Sequence, residues 1–338
     1  MGNKSLILNA MLAIIMLMVL AACGNQGQEA VPSASAVEAV SPTPDADLKS
    51  STQPETIKKT TKTYPALNGD IEVPVKSQRV VSLVFAGELL ALGVQPIGTG
   101  TAFLETGLFT EELKGAQAIG NEPSVEKILE LEPELIIMHN FVPDEVIEQL
   151  SKIAPTVVMP FNDRGPVERL RMFADLLDRQ DEADQFLQRY EAKAAAAKEK
   201  AAAIVEADET IAYYEIWGKS LWVMSEVNGR GVYNLYRSTE LNPPAKVMQD
   251  VVEAGKGLDI SLELLPEYAA DHMFVGVYEG DGGGERAEEL MKGALWRNLP
   301  AVQKNQVYIV NIDQFAPSDI YALYKQLDLQ IDILAGSR

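Results

Sequence analysis

Short apolar runs recur along the chain, separated by segments with helical spacing. "RVVSLV" (79–84), "PIGTG" (96–100), "ELIIM" (134–138) and "TVVMPF" (156–161) read as strands, and "AGELLALG", "SVEKILEL" and "PDEVIEQLSKI" between them read as helices. Strands apolar at nearly every position, alternating with helices, predict a parallel sheet covered on both faces. A long helical region follows, "PVERLRMFADLLDRQDEADQFLQRYEAKAAAAKEKAAAIVEAD", whose later half from Glu182 to Val205 is alanine-rich and free of Gly and Pro. At 1.5 Å rise per residue that half makes a rod of about 36 Å. A second series, "TIAYYEI" (210–216), "SLWVMS" (220–225), "DHMFVGV" (271–277) and "QVYIVN" (306–311), closes on the helix "DIYALYKQLDLQIDILAG". The expected fold class is α/β, with an N-terminal lobe over 67–181, a connecting helix over 182–208 and a C-terminal lobe over 209–338.

The two lobes echo each other. "SVEKILELEPELIIM" from Ser124 lies without gaps over "SLELLPEYAADHMFV" from Ser261, so that Ser meets Ser, Glu126 meets Glu263, and Ile136-Ile137 falls on Met273-Phe274. Each half has a serine placed to cap a helix, a glutamate two positions inside it, and a buried strand about ten residues on. A first-turn glutamate gains a few tenths of a kcal/mol from the helix dipole, and that suffices to explain either one alone.

The first residues differ in pattern. Lys4 precedes an apolar run from Leu6 to Leu20, and Leu20-Ala21-Ala22-Cys23 brings small residues up to the only cysteine. The run is short for a membrane span, and it resembles a lipoprotein signal peptide (1–22) with cleavage before a lipid-modified Cys23. From there to about residue 66 the chain is rich in Ser, Thr, Ala, Pro and Glu with scarcely an aromatic, the composition of a flexible tether. Such a chain of about 40 residues has an end-to-end distance of roughly 35 Å.

Charge and chemistry narrow the function. With 29 basic against 49 acidic residues the net charge is -20, which argues against a nucleic-acid partner. A single, lipidated thiol leaves no disulfide and no thiolate metal site, and two histidines, His139 and His272, cannot build a three-histidine site. No G-x-S-x-G, H-E-x-x-H or P-loop motif is present, and "GDGGGE" (280–285) reads as a flexible surface loop.

From about Gln78 to Leu334 the chain resembles the ferric-siderophore and vitamin B12 type of ABC-transporter substrate-binding proteins. The resemblance rests on "RVVSLVFAGELLALGVQPIGTG", "AIGNEPSVEKILELEPELIIM", the long helix, "GRGVYNLYRSTELNPPAKV", "DISLELLPEYAADHMFV" and "LWRNLPAVQKNQVYIVN". Through "GRGVYNLY" and "SLELLPEYA" it is similar to hydroxamate or citrate-hydroxamate receptors of Gram-positive bacteria. The resemblance implies two Rossmann-like lobes joined by a single long rigid α-helix, with the ligand cleft between them. It implies a monomer that binds a ferric-siderophore complex, needs no cofactor or metal of its own, and carries out no catalysis. It implies lipid anchorage through Cys23 on the extracytoplasmic face of the cell membrane, and partnership with an ABC permease and its ATPase, with Glu126 and Glu263 docking onto permease arginines. Haem or cobalamin on the same scaffold is an alternative cargo, and a lipid-anchored sensor or chelate-processing enzyme is an alternative of another class.

Ligands of open α/β sheets bind beyond the carboxyl ends of the strands. Those positions hold Phe85, Phe103, His139-Asn140-Phe141, Asn162 and Arg164 in the first lobe, and Trp217, Lys219, Arg230 with Tyr233, Tyr278 and Phe315 in the second. Aromatic faces cover a bulky chelate while a guanidinium donates to its oxygens. Of these, Arg230 in "NGRGVY" also matches a ligand-contacting arginine of the resembled family. Where some catecholate-binding relatives carry an arginine after the strand corresponding to "ELIIM", this chain has His139-Asn140, which counts against a trianionic catecholate.

Overall fold

A computed structural model describes residues 60–161 and 164–336. The expected signal peptide, Cys23, most of the tether, and Asn162 lie outside the described residues. All eight strands read from the apolar runs are present.

The tether does not reach residue 66. Thr61–Ala66 (β1) pairs antiparallel with Gly69–Pro74 (β2). Its anchors are Tyr64 and Val73, both buried, together with Asn68, whose side chain donates to Thr156 O at 2.9 Å and accepts from Val158 N at 3.0 Å. One buried aromatic in an otherwise polar strand is too little pattern to see in sequence.

Val80–Ser82 (β3), Gly98–Thr99 (β4), Gln117–Ala118 (β5), Leu135–His139 (β6) and Thr156–Met159 (β7) form an all-parallel sheet in the order β5-β4-β3-β6-β7. Strand order reverses between β3 and β6, where Val81 sits opposite Ile136. The second sheet has the order β10-β9-β8-β11-β12, from Ile211–Ile216 (β8), Leu221–Val223 (β9), Leu258–Ile260 (β10), His272–Val277 (β11) and Val307–Val310 (β12). Here β8, β11 and β12 are parallel, while β9 runs antiparallel to both of its neighbours, β8 and β10. Only residues 217–220 join β8 to β9, closed by Trp217 N donating to Ser220 O at 2.9 Å, and so short a link permits a hairpin but no parallel crossover. The repeated segments hold equivalent places, since β6 and β11 each lie beside the central strand of their sheet.

Between the sheets run the helices Pro166–Leu177 and Gln180–Ala202, separated by Asp178 and Arg179. The second buries Ala183, Phe186, Leu187, Tyr190, Ala194, Ala197 and Ala201, a stripe at helical spacing. It begins before the expected Glu182 and stops well short of 208, because β-branched Ile204-Val205 follows and Val205 turns into the core. The closing helix, Ile320–Ala335, packs beside it. One apolar core runs through these helices from Val80 and Phe85 of the first lobe to Tyr213, Phe274 and Leu323 of the second. The "GDGGGE" segment is another departure, since Gly283–Lys292 is helical. A Cβ at Gly283 would fall 2.2 Å from Tyr278 O and 2.9 Å from Ile216 O, so glycine there lets the helix start against the strand ends. Among the described residues, no helix is long and apolar enough to cross a membrane.

Candidate functional site

Strand β8 builds the second lobe's half of the site. Alternate residues of a strand face opposite sides. Ala212, Tyr214 and Ile216 enter the outer core, whereas Ile211 and Tyr213 face the core shared with the helices. Glu215 shares the face of Tyr213 and is fully buried at the carboxyl end of the strand. It accepts two hydrogen bonds, from Arg230 Nε through Oε1 and from Trp217 Nε1 through Oε2, the latter at 3.0 Å. Trp217 in turn stacks on Tyr278 with ring centroids 4.3 Å apart.

Arg230 reaches Glu215 from a turn in which three successive residues have positive φ, Gly229 (76°), Arg230 (62°) and Gly231 (67°). A non-glycine residue held there costs about 1–3 kcal/mol and persists where its surroundings fix it, commonly at ligand sites. The flanking glycines are wedged in place: a Cβ at Gly229 would lie 3.0 Å from Ala316 O, and one at Gly231 would lie 2.7 Å from Gln330 Nε2. Beside this turn lies a cavity of about 410 Å³, lined by Glu215, Trp217, Trp222, Met224 and Arg230 and also by Ser220 and Asn228.

The first lobe contributes aromatic rings at the ends of β3, β6 and β7, on either side of the switch in strand order. Phe85 and Phe161 are 6.1 Å apart by ring centroids, His139 lies 5.6 Å from Phe161, and Phe141 is mostly exposed beside them. His139 Nδ1 accepts from Phe141 N at 3.1 Å, and burial holds its pKa below the usual histidine value against the opposing charge of Glu122.

A smaller cavity, about 150 Å³, joins the lobes between Phe85, Phe103, Phe161 and Arg169 on one side and Pro317, Ser318 and Asp319 on the other. Its Arg169 and Asp319 form a buried charge cluster with Glu88. Arg169 Nε donates to Glu88 Oε1, Arg169 Nη1 donates to Phe161 O at 3.2 Å, and Asp319 Oδ1 accepts from Ala322 N at 2.7 Å. Among the described residues, Glu88 Oε2 and Asp319 Oδ2 find no hydrogen-bond partner. Burial first, and then the charge of Glu88, push the Asp319 carboxyl up to about 7.

The structure thus brings Arg230, Trp217 and Tyr278 together and sets Phe103 in the neighbouring interlobe cavity. It does not bring the others in. Phe315 is 1% exposed and packs on Tyr213, because residues 312–315 coil into a short helix that turns the ring inward. Tyr233 is half-buried and packs against the shared core, and Arg164 pairs with Glu168 at 2.9 Å in an exposed position. Glu215, Trp222 and the trio Glu88, Arg169 and Asp319 were not anticipated. The available signal for Glu215 was a lone charge in the apolar "TIAYYEI".

Glu126 and Glu263 are both exposed in a first turn. Ser124 caps its helix by accepting from Lys127 N at 3.4 Å. Ser261 makes no such bond, because the chain there forms a 3-10 turn in which Ser261 O takes the Leu264 N–H at 3.0 Å. His272 is buried between Tyr308 Oη at 2.8 Å and Glu209 Oε2 at 2.9 Å. Among the described residues, no group of three or more His, Cys, Asp or Glu could hold a metal ion.

Residues 89–312 match the family model described as "Periplasmic binding protein". The chain is 34% identical to the iron(3+)-hydroxamate-binding protein YxeB of Bacillus subtilis, over 98% of this chain and 97% of that one. It is 32% identical to the iron(3+)-hydroxamate-binding protein FhuD of Bacillus subtilis over 94% of each. Among solved structures, a FhuD fold-family protein of Bacillus subtilis, a periplasmic binding protein component of a Fep/Fec-like ferrichrome ABC transporter, superposes with a TM-score of 0.73 at 30% identity. That match covers 80% of this chain and 99% of the other.

Proposed function

This chain belongs to the periplasmic binding protein family, and from that premise we propose that it is the extracytoplasmic receptor of an ABC importer, capturing a ferric siderophore of hydroxamate or citrate-hydroxamate type and delivering it to the permease. The observation that carries the reading is the cavity at Arg230, which two indoles and a methionine line together with that guanidinium. Apolar walls suit the arms of a chelate, and the Nη groups of Arg230 suit its metal-bound oxygens. The relatives named for iron(3+)-hydroxamate binding support the same ligand class. Iron enters as cargo, already chelated, and the protein's work is binding and docking with no bond made or broken.

On this reading Cys23 carries the lipid anchor, the residues after it serve as tether, and the protein acts as a monomer. Glu126 and Glu263, exposed at corresponding positions of the repeat, meet basic side chains of the permease. The 180–202 helix serves as the stiff link that keeps closure of the lobes modest.

The test is a titration of the purified protein with ferric hydroxamates, ferric catecholates, haem and cobalamin, following quenching of its three tryptophans. Trp217 and Trp222 line the cavity, so a bound ferric hydroxamate should quench strongly and be recovered chemically unchanged. Quenching by haem or cobalamin alone would overturn the siderophore assignment, and an altered chelate would point to an enzyme.

A further inference from the structure

The cavity at Arg230 is lined by one cation and one anion. We propose that Glu215 is its charge-selecting and positioning residue: by holding Arg230 and Trp217 from beneath, it leaves the cavity without net charge and matched to uncharged ferric chelates. The inference rests on the proposed siderophore-binding function, narrows its ligand to the hydroxamate type, and adds the residue that sets ligand charge. Glu215 and Arg230 are the charged side chains of the lining, and Trp217, Ser220, Trp222, Met224 and Asn228 are neutral. The Glu215 side chain is 0% exposed and that of Arg230 19%, so water screens their pairing poorly.

The bonding pattern assigns distinct parts to each group. Glu215 spends one oxygen on Arg230 Nε and the other on the Trp217 indole, fixing both the guanidinium plane and the ring that stacks on Tyr278. A guanidinium has five N–H donors, so the Nη groups are left for a ligand. Three hydroxamates bring three negative charges to Fe³⁺ and make a neutral complex, which enters such a cavity without burying net charge. A polycarboxylate chelate brings excess negative charge, and Glu215 opposes it at the point where Arg230 would otherwise attract it.

The experiment compares affinities for ferrichrome, a neutral ferric trihydroxamate, and for ferric citrate, an anionic chelate, in the full-length protein and three variants. Glu215→Gln leaves the guanidinium uncompensated, and the preference should move toward ferric citrate by about tenfold or more. Arg230→Gln leaves the carboxylate uncompensated, and the preference should move the opposite way. The double variant restores charge balance, and its preference should return to within about threefold of wild type. Circular dichroism reports whether each variant is folded, and any one folded single variant gives a sign that decides. A purely structural Glu215 would lower both affinities together and leave their ratio unmoved, which overturns the inference. Wild-type protein that binds neither chelate overturns the proposed function itself, so the two failures are distinct.

Discussion

Asp319 is the titratable group whose surroundings commit the fold to a definite pH response. It stands at the start of the 320–335 helix with Oδ1 on Ala322 N, and it is faced by Glu88 from the 86–91 helix and by Arg169 from the 166–177 helix. Two buried carboxyls share one guanidinium, so an ionised Asp319 leaves the cluster with an excess negative charge out of water. Its pKa is raised from the ordinary 3.8 to about 7. A carboxyl with a higher pKa folded than unfolded makes the folded state bind more protons between those two values, so stability falls as pH rises through that window. A shift of this size makes the loss on the order of a few kcal/mol, accumulated as pH rises from about 4 toward neutrality. Asp319→Asn keeps a side-chain oxygen for the helix cap at nearly equal worth and removes the ionisation. Urea unfolding midpoints of the wild type and Asp319→Asn, measured from pH 5 to pH 8, should therefore diverge, with the variant gaining on the wild type at every step to neutrality. Carboxyls away from the cluster titrate in both proteins and cancel in the difference, while Glu88 titrates with Asp319 as a pair, so the difference reads the cluster as a whole. Parallel curves would refute the reasoning, because they would mean that Asp319 ionises in the folded chain as easily as in the unfolded one.

Three further outcomes follow from particular contacts. At Gly87 a Cβ would fall 1.7 Å from Asp319 Oδ1 and 2.0 Å from its Cγ, so Gly87→Ala should destabilise the protein by about 1–3 kcal/mol, read from the urea midpoint; an unchanged midpoint would show that the lobes part freely there. Asn68→Ala removes both side-chain bonds from the β1–β2 turn to β7 and leaves the backbone bond from Leu67 N to Val158 O, so it should loosen the hairpin at a cost of about 1–3 kcal/mol, seen as weakened amide-exchange protection over residues 61–74 with the rest unaffected. Charge reversal at both Glu126 and Glu263 should abolish uptake of labelled ferric chelate by cells and leave binding by the purified protein intact; normal uptake would reduce the two residues to helix-dipole ornaments of the fold.

How far the sequence was legible depended on the range of the signal. Buried strands such as "ELIIM" and "DHMFVGV" announce themselves because an unbroken apolar run follows their first one or two polar residues. The two-residue β5 and three-residue β10 are too short to carry any period, and β10 pairs only with the antiparallel β9. Topology led to Trp217 and Phe103, which line cavities beyond the strand ends, and Arg230 was reached through the "NGRGVY" resemblance as well. The same rule misplaced Phe315, whose chain coils back on leaving β12. Glu88, Arg169 and Asp319 come from helices far apart in the chain, and no local pattern links them: Arg169 alone lies 81 residues from Glu88. Glu215 was hidden differently, since a carboxylate inside an apolar strand looks like a defect until its two donors are seen.

Selection by charge acts in this protein at two distances. The chain carries a net charge of -20, and with the Glu215–Arg230 pair internally balanced at the cavity, the excess lies elsewhere on the molecule. Its field extends about 8 Å at physiological ionic strength and reaches farther at low salt. It slows the approach of anionic chelates and favours a basic partner surface, in the sense expected for glutamates docking on arginines. Inside the cavity, screening is weak and the Glu215–Arg230 pair decides which chelate stays. Salt therefore distinguishes the two: added salt should speed association of an anionic chelate, and it should leave the preference that Glu215 sets between bound chelates largely in place.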